Sequence, residues 1–320
     1  MARNVVVTDY NFPDLQHEAA AARAEGASFE AMQVTTPEDA ARALGGADVG
    51  IVQFAGIDAR AIEGMNAGAV LIRYGVGYDN IDIDAARAHG VRVAYVPDYC
   101  TDEVADHTVA LLLASLRKLP QLDRSTRDGT WAPVAQAAPI LPFPETVIGF
   151  LGYGRIAAAV RARLAAFGFP VIVADPFLDP DTAAREGVEL VGIDDLAGRA
   201  DALTLHAPST PRTKHIIDAG FLDRMKPGAV LVNTSRGDLI DTHALARALL
   251  SGTPALAALD VFEAEPLASD HPLRSAPNLL LSPHIAWYST ASIDRLQRLV
   301  ADETGRALRG EPLRCPIPEG

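Results

Sequence analysis

Cysteine is scarce in this chain. Cys100 and Cys315 are the only two in 320 residues, too few for a disulfide framework. Neither belongs to a C-x-x-C pair and no H-E-x-x-H occurs, so no metal site is expected. Long hydrophobic runs are missing as well: the best, VALLLASL, is far short of a bilayer span and lies inside a longer helical pattern. The opening MARNVVVTDY has no signal-peptide core before its first apolar segment, which points to the cytoplasm. Cations are outnumbered, with 28 Lys and Arg against 41 Asp and Glu and a net charge of −13. Nucleic acid is therefore not an expected partner, because duplex binding is driven by phosphate neutralisation. An anionic ligand would need local positive charge, for which Arg73 and Arg236 are candidates. No internal repeat or low-complexity tract appears beyond abundant alanine.

What is present is the composition of a soluble globular protein, 49% hydrophobic and 22% charged. The length exceeds one ordinary domain, so two are expected. The first hundred residues alternate strand candidates (NVVVTD, ADVGIVQF, AVLIRY, RVAYVP) with alanine-rich helical stretches, the pattern of a parallel sheet flanked by helices. A long helix from about Thr101 to Leu119 follows, then a proline-bearing irregular arm from Trp131 to Pro144. Six more strand candidates come next: TVIGFLG, VIVADP, DALTLHAP, AVLVNTS, AALDVF and LLLSP. A last helix starts near Thr290 with helically spaced Ile293, Leu296, Leu299 and Val300, and most simply returns to the first domain. The fold class is α/β, with two Rossmann-like doubly wound parallel-sheet domains: residues 1–100 with 290–320, and residues 101–289.

One run is physically specific. Val147 to Leu151 reads as a strand buried on both faces, ending in Gly152, Tyr153, Gly154. Gly152 permits a tight turn. Gly154 lets the backbone approach a pyrophosphate, and the helix beginning near Arg155 and Ile156 offers N–H groups and its positive dipole end to that anion. Ala157 takes the third fingerprint position, where helix packs on strand. Asp175 ends the next strand, roughly 20 residues further on, at the spacing from which a carboxylate reaches ribose hydroxyls. A 2′-phosphate would be repelled there, so NAD is favoured over NADP. The second half also carries Arg236 in NTSRG, Glu265 in DVFEAEP and His284 in SPHIAWYS. A guanidinium, a carboxylate and an imidazole are what a hydride-transfer site needs to hold a 2-oxo acid and protonate its carbonyl oxygen.

The ordered set GVGYDNIDIDAA (75–86), VADHTVALLLA (104–114), GYGRIA (152–157), LHAP (205–208), NTSRGDLID (233–241), LDVFEAEP (259–266) and SPH (282–284) resembles the D-isomer-specific 2-hydroxyacid dehydrogenase family over nearly the whole chain. HIAWYSTASI with IRYGVGYDNIDI is most similar to its C-terminal-binding-protein-like branch. The resemblance implies a discontinuous, flavodoxin-like substrate domain, a nucleotide domain inserted within it, an active site in the cleft between them, and a homodimer. It also implies roles. His284 is the general acid and base; Glu265 hydrogen-bonds its imidazole, fixes its orientation and favours the protonated form; Arg236 binds the substrate carboxylate. Gly75, Val76 and Gly77 present backbone N–H groups to that carboxylate. Asp260 meets the nicotinamide carboxamide, Thr108 touches the cofactor phosphates, and the Ala207–Pro208 and Thr234–Ser235 segments belong to the cofactor site. Trp287 covers the substrate side chain or, on a second reading, packs under the last helix and never meets substrate.

Several residues have a second reading. Asp241 before THALARALL reads as a helix N-cap rather than a catalytic acid. His206 either lines the adenine side or packs, and Arg73 is either a substrate contact or a surface arginine. His17, His89, His107, His215, His243 and His271 show no ligand spacing. Against an NAD-dependent dehydrogenase stands an NADH-responsive, corepressor-like binding protein with vestigial catalysis. The intact Arg236, Glu265 and His284 set, and a chain that ends soon after its last helix, favour the enzyme. The linker PILPFPETVIGF, Val76 and Trp287 depart from the family pattern; Val76 makes its side of the expected pocket drier, and Trp287 is a bulky indole where many relatives place smaller groups.

Overall fold

The computed structural model describes residues 3–318. The chain divides into two compact units, one running to Cys100 and resuming at Ser289, the other Thr101–Tyr288.

In the first unit the strands are β1 (Asn4–Val7), β2 (Ser28–Ala31), β3 (Val49–Val52), β4 (Val70–Arg73) and β5 (Arg92–Ala94), all parallel in the order β2-β1-β3-β4-β5. The central strands are valine- and isoleucine-rich and closed to water, as a parallel sheet covered on both faces requires. The edge strand β2, SFEA, is short, polar and mostly exposed; its apolar content is too low for the sequence pattern to mark it. The helix Thr290–Arg309 packs along the helix Gln16–Ala24. It starts with a capping box between Ser289 and Ser292. Where the strand order reverses, between β1 and β3, the N–H groups of Gln53, Phe54 and Ala55 all donate to the buried Asp9 carboxylate. This switch point is filled from within.

The second unit holds β6 (Ile148–Leu151), β7 (Val171–Ala174), β8 (Glu189–Leu190), β9 (Ala202–Leu205), β10 (Val230–Asn233), β11 (Leu256–Leu259) and β12 (Leu279–Leu281). They are parallel in the order β12-β11-β10-β9-β6-β7-β8. The chain winds outward from β6 through β7 and β8, crosses back, and builds the other half from β9 onward. The switch point therefore lies between β6 and β9, where open α/β sheets place their ligands beyond the carboxyl ends of the strands. One hydrophobic cluster forms on each face, around Phe221, Leu231 and Leu245 on one side and Phe150, Val160 and Leu112 on the other.

The segment before β6 differs from its sequence reading. The long helix stops at Leu116 and Lys118 takes φ 53°, after which a new helix runs Leu119–Arg127. The arm, read as irregular, contains the helix Pro133–Ala137, with Pro133 at its first turn, where a missing N–H costs nothing. Neither helix buries a residue within the unit, and Leu119, Trp131, Val134 and Leu141 are exposed.

Candidate active site

The glycine turn follows β6 directly. Gly152 takes φ 87°, and a β-carbon there would stand 2.8 Å from the Ala207 nitrogen and 2.9 Å from the His206 carbonyl carbon. Only glycine lets the end of β6 lie that close to the segment leaving β9. At Gly154 the same construction meets nothing within 4 Å. Gly154 also caps the helix Arg155–Leu164 without any side chain serving its first N–H groups. Open space over unserved donors at a positive helix end, on a sheet's switch point, fits a pyrophosphate. Asp175 stands beside it, pinned by the N–H of Tyr153 at 2.6 Å and of Phe177 at 2.7 Å. The Tyr153 phenol, raised to about 12 by burial and by its Glu186 partner, is neutral.

The side of β9 and β10 is more tightly bonded. His206 stacks on Phe150 and lies 3.0 Å from the Thr204 hydroxyl; burial pushes its imidazole down to about 3, so it is an uncharged ring. Thr108 is fully buried, donating to the Val104 carbonyl and meeting the Thr234 hydroxyl at 2.7 Å. Ser235 donates to the Ala207 carbonyl at 2.7 Å, so LHAP and NTSRG are tied together.

Beyond β10, β11 and β12 the chemistry-bearing side chains assemble. His284 Nδ1 lies 2.6 Å from Glu265 Oε2, with the two side chains 28% and 32% exposed. The other Glu265 oxygen accepts the Phe262 N–H at 2.9 Å. Burial works against the Glu265 carboxylate, but the His284 contact, the Phe262 N–H and the Arg236 charge together hold its pKa below the ordinary value. Arg236 is extended, and its guanidinium donates to the Ser235 carbonyl at 2.8 Å. The carbonyl of Arg236 accepts from Asn233, whose other amide atom accepts the Ser235 N–H. Arg236, Glu265 and His284, drawn from three separate sequence motifs, thus share one charged neighbourhood.

His284 is held in a sparsely populated backbone conformation, φ 52°. Its N–H donates to the Asp260 carbonyl at 2.7 Å, and the Trp287 indole N–H donates to its own carbonyl at 2.7 Å. Asp260 is wholly buried; its carboxylate accepts from Ser282 Oγ at 2.5 Å and from the N–H groups of Ile285 and Ala286. Its visible work is to hold the segment bearing His284. Trp287 is largely buried. His107, without ligand spacing in the sequence, lies 3.2 Å from Ser282 Oγ and 3.8 Å from Asp260.

One residue absent from the sequence reading is required by the geometry. A β-carbon on Gly237 would fall 1.9 Å from the Phe262 carbonyl carbon and 2.1 Å from its oxygen. The glycine after Arg236 lets that strand end seat directly on the loop bearing Glu265. The glycine itself, next to the candidate arginine, was the available signal.

In the first unit Arg73 ends β4 and folds back to donate to the Tyr74 carbonyl. Gly75 takes φ 135°, and a β-carbon there would collide with the Arg73 guanidinium at 1.8 Å. Val76 and Gly77 follow, partly exposed. Asp241, as read, caps the helix Thr242–Ser251 by accepting the Ala244 N–H at 2.8 Å.

A doubly wound sheet with a glycine turn at its switch point, and an imidazole–carboxylate pair with an arginine on the same edge, define a dinucleotide-binding α/β protein equipped for acid–base chemistry. Residues 109–286 match the NAD-binding domain of the D-isomer specific 2-hydroxyacid dehydrogenases, and the chain belongs to that family. It is 40% identical over 255 residues to D-3-phosphoglycerate dehydrogenase of Mycobacterium tuberculosis, covering 80% of this chain and 48% of that protein. It is 38% identical over 257 residues to glyoxylate reductase of Korarchaeum cryptofilum, covering 80% of this chain and 77% of the relative. The chain spans about half the length of the phosphoglycerate dehydrogenases it matches. The crystal structure of D-lactate dehydrogenase from Aquifex aeolicus, complexed with NAD and lactic acid, superposes with a TM-score of 0.85 at 26% identity over 96% of each chain.

Proposed function

We propose that the protein is an NAD-dependent dehydrogenase interconverting a 2-oxo acid and a D-2-hydroxy acid. The observation that carries this reading is the 2.6 Å His284–Glu265 pair beside Arg236, on the sheet edge that also holds the glycine turn. Gly152 to Ile156 would hold the pyrophosphate and Asp175 the adenosine ribose; Thr108, His206, Ala207, Pro208, Thr234, Ser235 and Asp260 would complete the cofactor site. When bound, the nicotinamide supplies or accepts the hydride at the substrate's C2. Arg236, with its planar fork of donors, binds the substrate carboxylate and polarises the carbonyl. In the first unit, Arg73 and the N–H groups of Val76 and Gly77 are the expected further carboxylate contacts, while the Gly75 N–H is given to the Arg73 carbonyl at 2.9 Å. With Nδ1 committed to Glu265, His284 delivers the proton to the carbonyl oxygen from Nε2, and takes it back in the reverse direction. The Glu265 carboxylate stabilises the imidazolium and keeps the ring from rotating.

The substrate class follows from Trp287 and Val76, which favour extended apolar or thioether side chains by dispersion and sulfur–aromatic contact, worth on the order of 1 kcal/mol each. NADH oxidation measured against a panel of 2-oxo acids tests both levels. Turnover with any member supports the reaction, and 4-methylthio or branched acids should outperform pyruvate and glyoxylate. Trp287→Ala should lose efficiency for the bulky acids while keeping it for glyoxylate; a uniform loss across the panel would mean that the indole serves only to hold the His284 carbonyl. No turnover across the panel would favour the alternative, an NADH-responsive, corepressor-like binding protein of the C-terminal-binding-protein type.

We further propose a cytoplasmic homodimer with no nucleic-acid partner. The exposed Leu119, at the start of the helix before the arm, and Trp131, Val134 and Leu141 of the arm support self-association, and among the described residues no helix is long and apolar enough to cross a membrane. Sedimentation of a monomer at micromolar concentration would contradict the dimer.

A further inference from the structure

The loop that presents Glu265 carries a second carboxylate two residues earlier, and it points into a different set of partners. Glu263 Oε1 lies 2.5 Å from His215 Nε2. Glu263 Oε2 accepts the Thr242 N–H at 3.1 Å and also the Thr242 hydroxyl. The proton directions in this network are determined. His271 Nδ1 accepts the Leu273 N–H at 3.2 Å, so in the neutral ring the proton is on Nε2, which lies 3.3 Å from the Thr242 hydroxyl. That hydroxyl, receiving from His271, gives its own proton to Glu263. The backbone of His215 is fixed in turn, its main-chain N–H donating to the Asp238 carbonyl at 2.7 Å. Burial opposes the Glu263 charge, yet the Thr242 and His215 hydrogen bonds hold its pKa below the ordinary value. The anchors, His215 beside Asp238 and Thr242 at the first turn of its helix, flank Gly237, the residue seated on the same loop.

We propose that Glu263 is a positioning residue for the Glu265–His284 pair, clamping the loop Phe262–Pro266 onto His215 and Thr242 so that the Glu265 carboxylate meets the imidazole. The inference rests on the proton-transfer reading above for its catalytic meaning, but the clamp itself is a property of the protein without substrate. Catalytic geometry is sensitive at this scale, since a misplacement of about 1 Å costs up to about 100-fold. The clamp acts through the loop, so its loss should lower kcat while leaving NADH binding, which uses the turn after β6, unchanged.

Two substitutions test it. Thr242→Val removes one hydroxyl from the network, and Glu263→Gln, which is isosteric, places an amide donor against either His215 or Thr242. Each should lower kcat about tenfold or more, with the NADH dissociation constant unchanged and the pH profile of 2-oxo acid reduction displaced in the direction produced by Glu265→Gln. Thr242→Ser, which keeps the hydroxyl, should restore both. A readout independent of turnover is the NMR titration of the His284 ring in the protein alone, which Glu263→Gln should move the same way as Glu265→Gln does. Uniform scaling of the pH profile with an unmoved His284 titration would overturn the proposal. His284→Ala separates the two levels: if it keeps turnover, the proton-transfer reading fails whatever Glu263 does. If it loses turnover while the Glu263 and Thr242 variants stay at the native profile, only the clamp fails.

Discussion

At the scale of single residues, the site depends on carboxylates whose tasks are set by their surroundings. Asp175 has both oxygens pinned by backbone N–H groups, which aims its remaining lone pairs at whatever follows the glycine turn. A ribose diol can donate to it, and a 2′-phosphate is repelled. The native protein should therefore prefer NADH strongly over NADPH, and Asp175→Ala should narrow the preference. Equal kcat/KM for both cofactors in the native protein would contradict this assignment. Glu265 carries a different consequence. Its folded pKa lies below the unfolded value, so its contribution to stability is present above the ordinary carboxylate range and is lost as pH falls through the folded pKa. Thermal melts between pH 7 and pH 3 should show Glu265→Gln losing less stability on acidification than the native protein. Parallel Tm curves would mean the pair contributes nothing to folding.

At the scale of elements, what the sequence revealed and what it hid have physical causes. The strands β6, β7, β9, β10 and β11 are four-residue buried runs, mostly apolar, so their pattern is legible. The strands β2 and β8 escaped notice because both lie at sheet edges, where polar residues such as Glu30 and Glu189 serve as well as apolar ones. The helix start marked by Asp241 was legible because capping is local chemistry. Lys118 was not, since a lysine in the left-handed region carries no sequence signature. The site follows the same division. Arg236, Glu265 and His284 could be picked out by chemistry and motif, whereas the Gly237 contact and the Glu263 network arise from tertiary approach of segments distant in sequence. That approach is testable. Gly237→Ala forces its methyl against the Phe262 backbone, which cannot rotate away, so the Glu265 loop must shift. Turnover should fall about 100-fold. Near-native turnover would show that the loop tolerates the displacement and that the close seating is incidental.

At the scale of the whole molecule, the chain solves the problem its composition poses. On the proposed function, a protein of net charge −13 has to attract an anionic acid and an anionic dinucleotide with local positive charge. The groups placed for this are the helix N-terminus at the glycine turn, directly after β6, and Arg236, three residues beyond β10. On the proposed function the paired His284 and Glu265 add a proton donor to a site otherwise built for binding, which is what would separate a dehydrogenase from a dinucleotide sensor. The decisive measurement is pre-steady-state NADH oxidation with the best 2-oxo acid, comparing the native protein with His284→Ala, alongside NADH titration of each. The account predicts a loss of roughly 100-fold or more in the reduction rate with NADH affinity nearly unchanged. A His284→Ala protein that reduces the acid at close to the native rate would contradict it.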